Sequence, residues 1–214
     1  KMSQAALASA ARALETFGQL YAPYPYTEFD IVITPTLALG IEYPGATAIA
    51  DRILLGEYGD QTAVYLESTV VHEVAHQWFY NLVGNDQLDQ PWLDESLAQF
   101  ATWQYYETNF GAGAAAGFEQ ALRARWERVD NAAIPIGKPV AAYSGIEYGA
   151  IVYGRGAFFF EALKNEMGAE SFDAFLKDYT ATFSWEIATT ERLKSLAEKH
   201  CGCDLTPLFN EWVY

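Results

Sequence analysis

The chain has 214 residues, 51% of them apolar, with 28 Asp and Glu against 13 Lys and Arg, for a formal charge of −15. That content is enough for a rigid core without staples, and the acidic excess with scattered cations excludes a phosphate backbone as partner. No apolar run approaches the roughly 18 residues of a membrane span, and Lys1-Met2-Ser3 leads into an alanine-rich amphipathic pattern rather than a secretory leader, leaving the compartment open.

Alanines and leucines recur at helical spacing over residues 3–20, and Pro23 and Pro25 close that helix inside an aromatic-rich loop. Residues 29–34 and 48–55 are rich in β-branched and aliphatic side chains between Pro and Gly punctuation, which predicts two short strands. Between them, Gly40-Ile41-Glu42-Tyr43-Pro44-Gly45 reads as an irregular segment along a sheet edge. A helix over about 67–82, a polar loop over 84–90 and a helix over about 91–108 follow. Further helices are expected at about 113–128, 149–166, 170–182, 189–200 and 206–213, with 131–149 as the one long loop. Strands within about 1–66 and helices over about 67–214, with no repeat or linker, predict a single α+β domain with a small strand-bearing lobe and a mainly helical one. Cys201 and Cys203 are too few for a disulfide framework or a four-thiolate zinc site, and read as structural or incidental.

The chemistry concentrates in Val71-His72-Glu73-Val74-Ala75-His76. Histidines four apart on a helix project from one face about one turn apart, which suits two zinc ligands. Glu73 leans to the side of that face, where a carboxylate can take a proton from a metal-bound water without occupying the metal. A third ligand must come from elsewhere. Glu95, in Trp92-Leu93-Asp94-Glu95-Ser96-Leu97-Ala98, lies one loop and one turn into the next helix, and an antiparallel return brings it beside the histidines. Three protein ligands leave one position for water, as in a catalytic zinc site. The bland alternative is a pair of ordinary core histidines, and the flanking glutamates weigh against it. His200, on the polar face of a late helix, reads as a solvated side chain.

These residues resemble the gluzincin aminopeptidases, the group of membrane alanyl aminopeptidase. His72-Glu73-Val74-Ala75-His76-Gln77-Trp78-Phe79-Tyr80-Asn81 is similar to that family's zinc helix, and Trp92-Leu93-Asp94-Glu95 to its third-ligand segment at the usual eighteen-residue gap. Gly40-Ile41-Glu42-Tyr43-Pro44 resembles the exopeptidase motif, in which a glutamate grips the free amino terminus of the substrate. The resemblance gives that role to Glu42, although Ile41 and Tyr43 depart from the usual Met and Asn. Tyr148-Gly149-Ala150-Ile151-Val152-Tyr153-Gly154-Arg155-Gly156 resembles the segment carrying the catalytic tyrosine, which implies Tyr153 as the oxyanion donor and Tyr148 as a neighbour lining the cleft.

The resemblance covers nearly the whole chain. It implies a thermolysin-like metallopeptidase domain holding one Zn2+, without the flanking β and C-terminal domains of longer members, and with peptides bearing a free N-terminus as substrates. On this reading Glu73 activates the zinc-bound water, while Tyr153 and zinc stabilise the oxyanion. Two other readings share the ligands: a thermolysin-type zinc endopeptidase with an open groove, and a noncatalytic peptide-binding domain stabilised by zinc. The side chain preferred at the substrate's first residue and the oligomeric state are not legible in one sequence.

Overall fold

Helix α1 (Met2–Leu20) buries Ala6, Ala10, Ala13 and Phe17, a three-to-four-residue recurrence whose small side chains let it lie close against the helix that carries the histidines. It opens a computed structural model that describes residues 2–214. Strands β1 (Asp30–Thr34), β2 (Gly40–Tyr43) and β3 (Ala46–Ala50) follow, then helices α2 (Asp51–Leu54), α3 (Thr62–Ala75), α4 (Trp92–Phe110) and α5 (Ala112–Trp126). The remainder is α6 (Gly145–Ala150), α7 (Gly156–Met167), α8 (Ala169–Thr182), α9 (Thr190–Cys201) and α10 (Thr206–Trp212). A π-helical turn, Ile151–Arg155, joins α6 to α7. Among the described residues no helix is long and apolar enough to cross a membrane.

The sheet has the order β1-β3-β2, with β3 parallel to β1 and antiparallel to β2. Its central strand is also its buried one, from Thr47 to Ala50. Two expectations change here. The strand read over 48–55 stops at Ala50, where Asp51 opens α2 with a carboxylate in the first turn, favourable to the helix dipole. Residues 40–43 are not irregular but form the edge strand β2, with Gly40 opposite Ile49 and Glu42 opposite Thr47. Gly40, Pro44 and Gly45 hid it, because glycine and proline lower strand propensity in the interior yet are tolerated at an edge and its turn.

The histidine helix is also shifted from its expected span, starting at Thr62 and stopping at Ala75. Past His76 the chain turns back on itself: the Asn81 amide donates to the His76 carbonyl (2.9 Å) and the Val83 amide to that of Trp78 (3.0 Å). Tyr80 holds φ at 119°, a conformation that side-chain-bearing residues avoid. The expected long loop contains α6, whose capping box pairs the Ser144 hydroxyl with the Glu147 amide and the Glu147 carboxylate with the Ser144 amide.

The helical core is aromatic. Fully buried Phe159 meets Trp92 and Phe209 edge-on at 5.3 and 5.2 Å, and truncating such a side chain to Ala costs about 3–5 kcal/mol. Buried Arg155 reaches the C-terminal segment, donating to the carbonyls of Ile134, Glu211 and Trp212 at 2.8–3.0 Å and stacking on the Trp212 ring. Its guanidinium thereby ties α10 to the π-helical turn. Cys201 and Cys203 form a disulfide at the end of α9. His200 is not simply solvated, since its Nε2 lies 2.9 Å from Asp178 Oδ2 and links α9 to α8.

Candidate metal centre and cleft

Helix α3 brings His72 and His76 to one face, and the return through residues 84–91 lays the first turn of α4 beside them. His72 Nε2, His76 Nε2 and Glu95 Oε2 then form a triangle with edges of 3.1, 3.2 and 3.4 Å. His76 Nδ1–H donates to the Phe79 carbonyl at 3.0 Å, so its Nε2 lone pair points at the other two ligand atoms. The turn that ends α3 early supplies that carbonyl. Donors about 2.0–2.1 Å from a tetrahedral zinc ion lie about 3.3–3.4 Å from one another. Two imidazoles and a carboxylate at these separations therefore fit one zinc ion.

Charge and burial act together in this triangle. Burial alone would raise the Glu95 carboxyl, but its contacts with His72 and His76 outweigh that and hold it below the usual carboxylate range. Burial lowers His72. It would lower His76 as well, but the Glu95 contact and the charges of Glu95, Glu42 and Glu73 raise it instead. The Tyr153 hydroxyl donates to Glu95 Oε1. Burial, and after it the Glu95 charge, raise the phenol well above its ordinary value, so it remains a proton donor at any physiological pH.

Glu73 sits deeper, 4% exposed, with Oε2 lacking any hydrogen-bond partner. Burial pushes its carboxyl up to about 8, His76 opposes the shift, and Glu95 and Glu42 add to it. Gly40 is its cradle: a Cβ there would lie 2.2 Å from Glu73 Oε1 and 2.5 Å from its Cγ. One oxygen each from Glu42 and Glu73 and one nitrogen from His76 lie within 4.8 Å of one another. Gly40, Glu42, His72, Glu73, His76, Glu95 and Tyr153 thus all border one cleft of about 390 Å³. Tyr148 packs edge-on against Tyr153 with ring centres 5.5 Å apart, supporting that ring rather than bordering the cleft.

Several residues that complete this arrangement carry no role in the sequence reading. Gln77, fully buried, accepts from the Gly45 amide (2.9 Å) and donates to the Tyr43 carbonyl (3.0 Å), pinning the β2–β3 turn to the end of α3 and so fixing the strand that bears Glu42. The Gln87 amide donates to both Glu42 Oε1 (2.7 Å) and Asp94 Oδ2 (2.9 Å), and Asn85 donates to Asp94 Oδ1 (2.9 Å). Asp94 is 1% exposed, and burial, then the neighbouring Glu95, raise it to about 7. Gln77 and Asp94 stand inside the recognised motifs, whereas Gln87 lies in a polar loop with no pattern to mark it. Ser96 donates to the Val152 carbonyl (2.7 Å) and Arg125 to that of Tyr153 (3.3 Å), so side chains of α4 and α5 satisfy carbonyls of the π-helical turn.

The Peptidase family M1 domain profile matches residues 5–212. Similar curated proteins include Aminopeptidase M1 of Arabidopsis thaliana, 31% identical over 222 residues that cover 97% of this chain and 25% of the relative. Leucyl aminopeptidase of Saccharolobus solfataricus is 28% identical over 211 residues, covering 89% of this chain and 25% of the relative. An M1 zinc metallopeptidase from Deinococcus radiodurans superposes with a TM-score of 0.74 at 25% identity, covering 96% of this chain and 43% of that one. A mutant of that enzyme bound to a Tyr-Ser-Ala substrate gives the same score. The chain spans about a quarter of the length of these curated relatives.

Proposed function

Since this chain belongs to peptidase family M1, we propose that its cleft removes the first residue of peptides with a free N-terminus, using one Zn2+ held by His72, His76 and Glu95. The observation that carries this reading is the triangle of three ligand atoms at 3.1–3.4 Å with an unpartnered, buried glutamate beside it. Held by these three residues, a zinc ion would supply Lewis acidity toward a peptide carbonyl and toward water near neutral pH.

The chain's own groups supply the rest. Glu73 Oε2, free of any internal partner, accepts the proton of the attacking water and later passes it to the leaving amine. Its elevated proton affinity suits that shuttle, and a divalent cation nearby draws it back toward the ionised form that a base requires. Tyr153, a permanent donor, turns its hydroxyl from Glu95 Oε1 to the oxyanion as charge develops there. Glu42, held by Gln87, pairs with the substrate ammonium and so sets where the first carbonyl falls. In this reading residues 1–214 are one thermolysin-like catalytic unit, and the relatives' greater length supports further domains in a longer polypeptide.

Exopeptidase action is favoured over a thermolysin-type endopeptidase by Glu42, whose carboxylate is positioned within the reacting cluster. The purified protein tests the whole assignment. Glu73→Gln should retain one zinc per chain by elemental analysis and lose hydrolysis of aminoacyl chromogenic substrates; retained hydrolysis refutes the assignment. Glu42→Ala should lose free-amine substrates selectively, and preferred cleavage of N-blocked peptides would favour the endopeptidase instead. Zinc uptake without turnover of either kind of substrate would leave the noncatalytic binding domain.

A further inference from the structure

The cleft has a second charged end. Helix α5 and the 3-10 turn after it place Arg125 and Arg128 in its wall together with Phe118. Phe118 and Arg125 are seven residues apart, two helical turns, and so share a face that Arg128 continues. In a chain with 28 carboxylate residues against 13 cations, an arginine ordinarily meets an acid. Among the described residues neither Arg125 nor Arg128 takes part in an ion pair. Arg125 spends one donor on the Tyr153 carbonyl at 3.3 Å, leaving most of its five N–H groups partly desolvated with no anion to meet them.

The two ends of the cleft are opposed along α3. Glu42 brings a carboxylate oxygen within 4.8 Å of ligand atoms of His76 and Glu73, whereas Arg125 donates to the carbonyl of Tyr153, whose ring centre lies 5.8 Å from that of His72. His72 and His76 are one turn apart, so with Glu95 bridging both, Glu42 and Glu73 lie toward His76 and the Arg125 guanidinium toward His72, and Tyr65, Thr69 and Arg128 line the same cleft. A peptide whose ammonium meets Glu42 and whose first carbonyl lies at the ligand triangle extends its remaining residues toward the arginines. Each extended residue advances by only about 3.3 Å.

We propose that Arg125 and Arg128 form an anion subsite for a carboxylate just downstream of the scissile bond. The C-terminal carboxylate of a di- or tripeptide and an acidic side chain following the cut share this chemistry. The proposal rests on the Glu42-anchored reading above for the direction of the peptide. It makes the enzyme selective for short peptides that are anionic at their far end, read by bidentate guanidinium contacts.

Titration calorimetry on the zinc-loaded Glu73→Gln protein, in which peptides stay intact, tests it. Ala-Ala-Ala as free acid should bind about tenfold or more tightly than its C-terminal amide if the chain end is the source. Ala-Asp-amide should exceed Ala-Asn-amide by a similar factor if the side chain is the source. Either preference should weaken with salt, collapse toward unity in Arg128→Gln and Arg125→Gln, and fall only part of the way in Arg125→Lys, which keeps the charge but not the bidentate fork. The exposed Arg128 side chain makes no ion pair among the described residues, so its substitution stays informative should Arg125→Gln unfold, which a thermal melt reports. Equal affinities for acid and amide in both pairs, a preference that survives both Gln substitutions, or no binding of any peptide overturns the subsite. Absence of turnover by the parent chain would instead sink the peptidase reading, while the acid-to-amide ratio still decides the subsite.

Discussion

Gly40→Ala is the most direct probe of how the site is assembled. The added Cβ would stand 2.2, 2.4 and 2.5 Å from Oε1, Cδ and Cγ of Glu73. Ordinary carbon contacts need about 3.5 Å, so one partner must retreat by about 1 Å. Strand β2 is poorly free to do so, because it is paired with β3 and its turn is pinned by Gln77. The displacement therefore falls on the Glu73 side chain, three of whose atoms are in the way at once. Overpacking of this kind costs about 1–3 kcal/mol of stability, and a reacting group misplaced by about 1 Å loses about 100-fold in rate.

Steady-state kinetics on an aminoacyl chromogenic substrate should show kcat falling by about two orders of magnitude, while zinc content stays at one per chain. Gly113→Ala is the control, since nothing lies within 4 Å of its added Cβ and α5 should gain rather than lose stability. A parental kcat in Gly40→Ala, or loss of zinc in step with activity, would refute the idea that this glycine seats the base.

Tyr153→Phe should lower kcat by about 100- to 1000-fold with little change in KM, because the hydroxyl works in the transition state; an unchanged kcat in a stopped-flow assay would remove it from the mechanism. Gln87→Ala frees the Glu42 carboxylate and strips a donor from buried Asp94, so KM for free-amine substrates should rise several-fold with kcat less affected. An identical KM would show that Glu42 needs no such support. In the metal-free protein Glu73 binds its proton more tightly folded, near 8, than unfolded, near 4.5. That proton favours the fold fully below 4.5, and the advantage is lost as pH climbs through 8. Glu73→Gln does not titrate, so relative to the parent its melting temperature should be higher at pH 8 than at pH 5, by the equivalent of about 3–4 kcal/mol; parallel pH curves for the two proteins would contradict the burial argument.

The histidine pair and several helices were legible because they rest on local periodicity: a four-residue spacing puts His72 and His76 on one face, and α4, α8 and α9 begin and end within about two residues of where capping and breaker signals put them. What the sequence could not disclose depends on distant partners. The strand β2 exists because β3 and Gln77 hold it, against the low propensity of its own glycine and proline neighbours. The end of α3 at Ala75 is set by a tertiary turn at Tyr80, not by a breaker residue. Gln87 and Arg125 acquire meaning only through Glu42 and Tyr153, which lie 45 and 28 positions away. The Ser144-to-Glu147 capping signature was visible in principle and marks the helix concealed in the expected loop.

The wide turn at Ile151–Arg155 has an implication for how this protein tolerates length changes. It sets the angular phase between the phenol facing the cleft and the residues behind it, where Gly156 sits so near Ser96 that a Cβ would fall 1.9 Å from its hydroxyl. Removing one residue from that segment would let an ordinary helix run through with α6 and α7 nearly in phase, because the wide turn already absorbs the extra residue, while the residues inside the turn would change face by about 100°. Tyr153 and Arg155 could not then both keep their partners. A single-residue deletion there should therefore strip the cleft of its phenol and the C-terminal segment of its anchor while leaving the flanking helices in place.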